Sequence, residues 1–490
     1  MKLHNTLTKK VDEFAPIDGK NARIYSCGPT VYNHAHIGNL SSYIYADILR
    51  RAVNLAGFST EHVMNFTDVD DKTIRDSRAN FPDLDPMAAL EKLTRHYEKI
   101  FLNEMAQVGN DVSKIKFVRA TENIAEIQDL IRKLLDLGVA YVADDGIYFS
   151  IAEYRKARKY GQLSTIELPA EMQSRIDNDE YDKASAQDFA LWKRAKDGEP
   201  SWEFEIDADA SQLCSRDSVD ATKLSDKIGE KEAIISMLGR PGWHIECSVM
   251  SVKNLGQPFD IHTGGVDLIF PHHENEIAQS TAGDQPETYA KFFVHNEHLL
   301  VDGKKMSKSA HNFYTLPDII KKGFSPLDFR MLVLQSHYRS ATNFSWENLE
   351  AAKNRLKRWR NVAELRWQNC LDGADFSDPL NYLVLAGDDL LNDLDTPNAL
   401  KNLDQFIENV NATNYYNNIE NFIKFVDENL GLDLYNTTPD ITNEQKNFIK
   451  LRETARVEKN WTESDRLRDI LKSQGIVLRD EGEMTIWLRV

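Results

Sequence analysis

Hydrophobic positions change period several times along this 490-residue chain, and each change marks an element. Residues 22–28, ARIYSCG, are a short apolar run rich in β-formers that stops at Gly28-Pro29, as a buried strand does. NLSSYIYADILRRAVNLAG then places apolar residues at helical spacing and ends at Gly57, after which EHVMNFTD returns to a strand pattern. Strand, helix, strand at this spacing is a βαβ unit, which predicts a parallel sheet covered by helices. From 81 to 140, AALEKLTRHYEKIFLNEM and ATENIAEIQDLIRKLLDLG carry apolar residues three to four apart, so this region is predicted to be largely helical. A polar, variable region runs on to about residue 240. Strand-rich FDIHTGGVDLIF and KFFVHNEHLLV follow it.

At Ser345 the pattern changes. This serine is placed to cap WENLEAAKNRLKRW, whose Leu349, Ala352, Leu356 and Trp359 fall on one helical face. Helical stretches continue to about residue 430. The chain ends with a helix, SDRLRDILKSQG, and a hairpin made of IVLRD and TIWLR. The expected fold class is therefore α/β. It comprises a Rossmann-like parallel-sheet domain over 1–330 with a connective insertion at about 110–240, a helical bundle over 331–430, and a small α/β module over 431–490.

Composition narrows the class of protein. With 41% hydrophobic and 10% aromatic residues the chain is an ordinary globular one, and its net charge of −18 argues against blanket attachment to nucleic acid or anionic membrane. The tail from 446 is the least acidic part. The opening MKLHNTLTKKVDEF has no long apolar run, and no later segment approaches about 18 uninterrupted apolar residues, so a soluble cytoplasmic protein without a membrane span is expected. Four cysteines (Cys27, Cys214, Cys247, Cys370) are too few for a disulfide scaffold, leaving reduced thiols or metal ligands.

Candidate chemistry concentrates in FPHHENEIAQS, residues 270–280. On a helix starting after Pro271, His272 and Glu276 share a face, where an imidazole and a carboxylate can chelate one zinc ion; a solvated helix start accounts for them equally well. The cysteines shift the balance. Cys27 ends the first strand and Cys247 lies in PGWHIECSVM, so Cys27, Cys247, His272 and Glu276 together would make a tetrahedral Cys₂HisGlu site, against the alternative of two buried structural thiols. His273 and Glu274 are given no role.

Two further stretches suit phosphate. HAHIGN, residues 34–39, sits between the first strand and its helix, where free N–H groups attract anions; His36 and Asn39 are placed as donors and Gly38 permits close approach. In DGKKMSKSAHN, Lys305 and Lys308 would neutralise the phosphates of a nucleotide as pyrophosphate leaves.

HIGN at the first βα turn and KMSKS some 270 residues later form a specific pair. With CGPTVY, GRPGWHIECS and GGVDLIFPHHENE, the chain resembles the class I aminoacyl-tRNA synthetases, and within them the cysteinyl-tRNA synthetase family, over nearly its whole length. The resemblance implies one zinc ion on Cys27, Cys247, His272 and Glu276, with the substrate thiolate bound to it. It also implies ATP used with Mg²⁺, and L-cysteine and tRNA(Cys) as the other substrates of a monomer. It places Gly28, Thr67, Trp243 and His262 around cysteine. Catalysis falls to His36, Asn39, Lys305 and Lys308, and ATP binding to His36, Asn39, Lys308, Gly264, Gly265 and Asp267. It makes 431–490 the anticodon-binding module, read out by Arg456, Trp461, Asp465 and Asp480. One departure is an acidic insertion of about 35 residues between 203 and 238, containing Cys214; another is Asn39 at the second histidine of the usual HIGH. The competing readings are a mycothiol-type ligase joining cysteine to an amino sugar, a non-catalytic tRNA-binding paralogue, and a zinc hydrolase, for which HExxH is missing.

Overall fold

The computed structural model describes residues 1–164, 188–208, 233–306, 312–368, 380–413, 418–481 and 484–489. These residues fall into two compact units. The first comprises 1–300, 305–318 and 338–341, and the second 301–304, 319–337 and 342–490.

The first unit is built on β1 (Asn21–Ser26), α1 (Ile37–Leu55), β2 (Ser59–Phe66), β3 (Ile115–Arg119), α2 (Trp243–Leu255), β4 (Phe259–Gly265), α3 (Glu274–Ser280) and β5 (Ala290–Asn296). Its five strands are all parallel and lie in the order β5-β4-β1-β2-β3. Ile24, Tyr25, Val63, Met64 and Ile261 are fully buried, the continuous apolar filling expected of a parallel sheet covered on both faces. The chain leaves β1 toward β2 on one side and returns at β4 on the other. The crevice beyond the carboxyl ends of β1 and β4 is thus the switch point where open α/β sheets collect ligands.

One element differs from the expectation of helix and insertion over 110–140. IKFVR forms β3, which pairs with His62–Phe66 as the outer strand of the parallel sheet. An edge strand buries little, here only Ile115 and Val118, so its apolar signal is short and diluted by Lys116. Between β3 and α2 the chain builds a second, antiparallel sheet in the order Ala140–Ala143, Gly146–Phe149, Phe189–Arg194, Ala233–Pro241, Trp202–Ala208. Phe149 and Phe189 stack in its core at 5.0 Å. Trp202–Ala208 pairs with Ala233–Pro241 out to Ala208 opposite Ala233. The ends of the acidic insertion are therefore arms of a hairpin, while its middle, with Cys214, lies outside the described residues.

The second unit holds the helices Pro326–Leu334, α4 (Trp346–Glu364), Leu380–Leu391, Thr396–Thr413 and Ile419–Leu430, then α5 (Asn443–Val457), α6 (Trp461–Ser473), β6 (Ile476–Glu481) and β7 (Met484–Arg489). Leu349, Ala352, Leu356 and Trp359 of α4 are fully buried, with Trp359 against Phe422 at 5.7 Å. Helix Pro326–Leu334 belongs to this unit because its buried Arg330 donates to the Leu430 carbonyl, so the break comes earlier than residue 330. β6 and β7 pair as an antiparallel hairpin whose Ile476 and Trp487 pack on Ile449 and Leu471. Among the described residues, no helix is long and apolar enough to cross a membrane.

Candidate active site and metal centre

Cys27 follows the last residue of β1, Cys247 lies on α2, His272 lies just before α3 and Glu276 within it. Their ligand atoms all fall within 4.8 Å of one another. The two sulfurs are 4.0 Å apart, Cys27 Sγ is 3.8 Å from Glu276 Oε1, and His272 Nε2 is 3.0 Å from the same oxygen. A tetrahedral zinc with Zn–S of about 2.3 Å needs its sulfurs about 3.8 Å apart, so this donor set fits the ion. Burial pushes the Cys27 thiol well above its usual range, and Cys247 and Glu276 beside it add to the rise. A divalent cation offsets that penalty by holding sulfur as thiolate.

The ligands are themselves fixed by a surrounding layer of contacts. The second oxygen of Glu276, Oε2, is 2.8 Å from His262 Nε2 and accepts from the Tyr289 hydroxyl at 2.9 Å. His272 Nδ1 meets His244 Nδ1 at 2.7 Å, and burial holds His244 neutral, so one ring of the pair donates and the other accepts. Trp243 stacks on His272 with centroids 4.2 Å apart. His262 is fully buried and sits behind Glu276. The two residues without a role acquire positions. His273 Nε2 is 3.4 Å from Cys27 Sγ, and its Nδ1 continues to His295 and on to Thr6. Glu274 points away and accepts the backbone N–H groups of Gln162 and Leu163, anchoring that loop.

Above the cluster, His36 caps α1, its Nδ1 accepting from the Asn39 N–H at 3.1 Å. That bond makes Nδ1 the unprotonated nitrogen, so Nε2–H is the donor left for a ligand. Burial lowers the His36 pKa to about 4, with nearby Asp267 opposing the shift, so the ring is neutral at pH 7. The Ile37 N–H bonds the Tyr314 carbonyl, and His36 bridges Thr315, which ties the HAHIGN loop to residues 314 and 315. Lys305 is exposed and its carbonyl accepts from Asn312; Lys308 lies outside the described residues. Gly264 and Gly265 end β4. A Cβ on Gly265 would lie 2.5 Å from Asp267 Oδ1. At Gly28 a Cβ would lie 1.7 Å from the Asn65 carbonyl oxygen. Gly28→Ala is therefore expected to destabilise the protein by about 3 kcal/mol, read as a lower Tm, because the obstacle is backbone.

In the C-terminal module, Trp461 opens α6 and is 60% exposed. Asp465 pairs with Arg468 at 3.4 Å. Asp480 accepts two bonds from buried Arg452, one from Arg456 and one from Thr485. Arg452 holds its carboxylate down at about 2. This folded pKa lies below the ordinary 3.8, so the contribution to stability is full above about pH 4 and is lost as pH falls toward 2. Asp480→Asn is expected to flatten the acid-unfolding curve across that window, measured by the unfolding midpoint against pH. Arg452 carried no sequence signal, because a helix arginine ordinarily faces solvent.

A parallel sheet in the order β3-β2-β1-β4-β5, with HIGN capping the helix after β1 and Tyr314 and Thr315 bonded to that cap, defines the class I tRNA synthetase fold. The model of the "tRNA synthetases class I (C) catalytic domain" matches residues 13–207 and 233–354, and that of the "Cysteinyl-tRNA ligase anticodon binding domain" matches 438–487. The chain belongs to this family of cysteine–tRNA ligases. It is 36% identical to the Cysteine--tRNA ligase of Leptospira interrogans serovar Lai, over 99% of both chains. To the Cysteine--tRNA ligase of Chlamydia muridarum it is 38% identical over 98% of this chain and 97% of that one. A solved methionyl-tRNA synthetase of Mycobacterium tuberculosis shares the fold, with a TM-score of 0.55 at 13% identity over 80% of this chain and 83% of the other. The catalytic match skips 208–232, so the departure narrows from the 35 residues expected to that stretch.

Proposed function

We infer that the protein activates L-cysteine with ATP and transfers it to tRNA(Cys). The observation that carries this reading is the Cys27–Cys247–His272–Glu276 cluster at the β1/β4 switch point, three of its four members buried. Zinc held by these four side chains would supply a soft acid that prefers a thiolate to a neutral hydroxyl, a distinction that shape alone makes only about a hundredfold. Gly28, Thr67 and Trp243 would then wall the cysteine, and His262 would hold Glu276 in place. In the first step a carboxylate oxygen of cysteine attacks the α-phosphorus of magnesium-bound ATP. The new C–O–P anhydride forms as the bond to pyrophosphate breaks. His36 Nε2–H, Asn39, Lys305 and Lys308 would bind the phosphates, with Gly264, Gly265 and Asp267 toward the ribose. In the second step the 2′-hydroxyl of the terminal adenosine takes the cysteinyl group and AMP leaves. No covalent bond to the enzyme is needed, so catalysis rests on positioning and fixed charge.

The module over 431–490 favours tRNA over an amino sugar as acceptor, with Trp461 and Arg456 as base contacts and Asp465 and Asp480 beside them. Cysteine-dependent ATP–pyrophosphate exchange, followed by charging of tRNA(Cys) against an amino-sugar acceptor, tests both halves. Exchange that ignores cysteine overturns the first half; acylation of the sugar but not of tRNA overturns the second.

A further inference from the structure

The loop after Cys27 is zipped to the end of β2 beyond the last strand pair. Thr67 N–H donates to the Pro29 carbonyl at 3.1 Å and Val31 N–H to the Thr67 carbonyl at 3.2 Å. Ahead of them, where Gly28 N–H would need a partner, Asn65 supplies its side chain. Asn65 Oδ1 accepts from Gly28 N–H at 2.8 Å, and Asn65 Nδ2 lies 3.3 Å from Thr67 Oγ1. The side chain is 1% exposed and the Thr67 side chain equally buried. Because Gly28 N–H is necessarily a donor, Oδ1 must face it and the amide NH₂ must face Thr67. The hydroxyl of Thr67 is thereby made an acceptor toward Asn65. Its own O–H is released on the other side.

We propose that Asn65 is a positioning residue for cysteine recognition, joining Gly28 to Thr67 and setting the direction of the Thr67 O–H. The inference rests on the cysteine-activating reading above. It adds that amino-acid affinity depends on a residue that touches no substrate. An aspartate at 65 has the same shape and keeps the Gly28 bond, but it cannot donate. The Thr67 hydroxyl then turns to donate to it, and the polarity offered on the far side is inverted.

The test is steady-state ATP–pyrophosphate exchange with zinc content measured alongside. Asn65→Asp should raise the KM for cysteine by about tenfold, the effect of one buried hydrogen bond, with the KM for ATP and the zinc stoichiometry unchanged. Thr67→Val should raise it similarly, and the double variant should resemble Thr67→Val alone, since Asn65 acts through that hydroxyl. Asn65→Ala, which buries no charge, runs the same cycle if Asn65→Asp does not accumulate. A rise in the ATP KM of equal size, or effects that add in full in the double variant, makes Asn65 merely structural and overturns the proposal; so does an unchanged cysteine KM. Wild-type protein without cysteine-dependent exchange would instead overturn the underlying reading.

Discussion

Cys247→Ser is expected to purify with almost no zinc, and the wild type with one ion per chain. Its kcat/KM for cysteine should fall by at least about 10³, since losing even a residue behind a ligand costs 10–100-fold in affinity. The reason lies in the geometry. The Cys247 sulfur stands 4.0 Å from that of Cys27, close to the separation a tetrahedral ion demands, and Cys247 itself is buried. A serine oxygen is shorter, harder and not ionised at neutral pH, so it offers neither the reach nor the charge. Chelator treatment of the wild type should abolish cysteine activation, and zinc should restore it. In the serine variant zinc should not. Metal analysis is the deciding measurement: an unchanged stoichiometry would remove Cys247 from the ligand set, whatever the activity.

His36→Ala should slow cysteinyl-adenylate formation by about 10²–10³, the effect of deleting one aimed donor to developing phosphate charge. It should leave the KM for cysteine and the zinc content alone. The ring does two things. Nδ1 caps the helix through Asn39 N–H, and Nε2–H is thereby fixed as the outward donor. His36→Asn, which can restore a cap but does not reach as far, should recover the Tm lost in the alanine variant without recovering the rate. The pH dependence has a definite sign. With a folded pKa of about 4 against an ordinary 6.5, the neutral ring favours the folded state, fully so above about pH 6.5. That contribution is lost as pH falls toward 4. The rate profile should show no inflection from this histidine between pH 6 and 8. A rate within threefold of wild type for His36→Ala would sink the assignment.

These outcomes separate what each level of description contains. That Cys27, Cys247, His272 and Glu276 come together was legible from residue chemistry, because thiols, an imidazole and a carboxylate are complementary metal donors, even though Cys27 and Cys247 are 220 positions apart. The place of HAHIGN at a strand-to-helix turn was legible because it falls between a strand pattern and a helix pattern. By contrast, β3 was hidden, because an edge strand with two buried residues leaves almost no period to read. The acidic insertion looked longer than it is, because its flanks are ordinary polar strands of a hairpin. Tyr289, His295 and Asn65 gave no signal at all: a tyrosine, histidine or asparagine beside a strand is usually a surface residue.

Residue type and spacing thus determined the class of fold and four candidate metal ligands, and the matching motifs pointed to the family. Tertiary structure decided the rest. It showed that Oε1 of Glu276 faces the cluster while Oε2 is held by His262 and Tyr289, and that Glu274 anchors a loop while its neighbour His273 touches Cys27. It also turned Asp480 toward Arg452. Hydrogen-bond direction and the side of a helix turn on which a carboxylate falls depend on which strand ends lie side by side, and no local spacing encodes that.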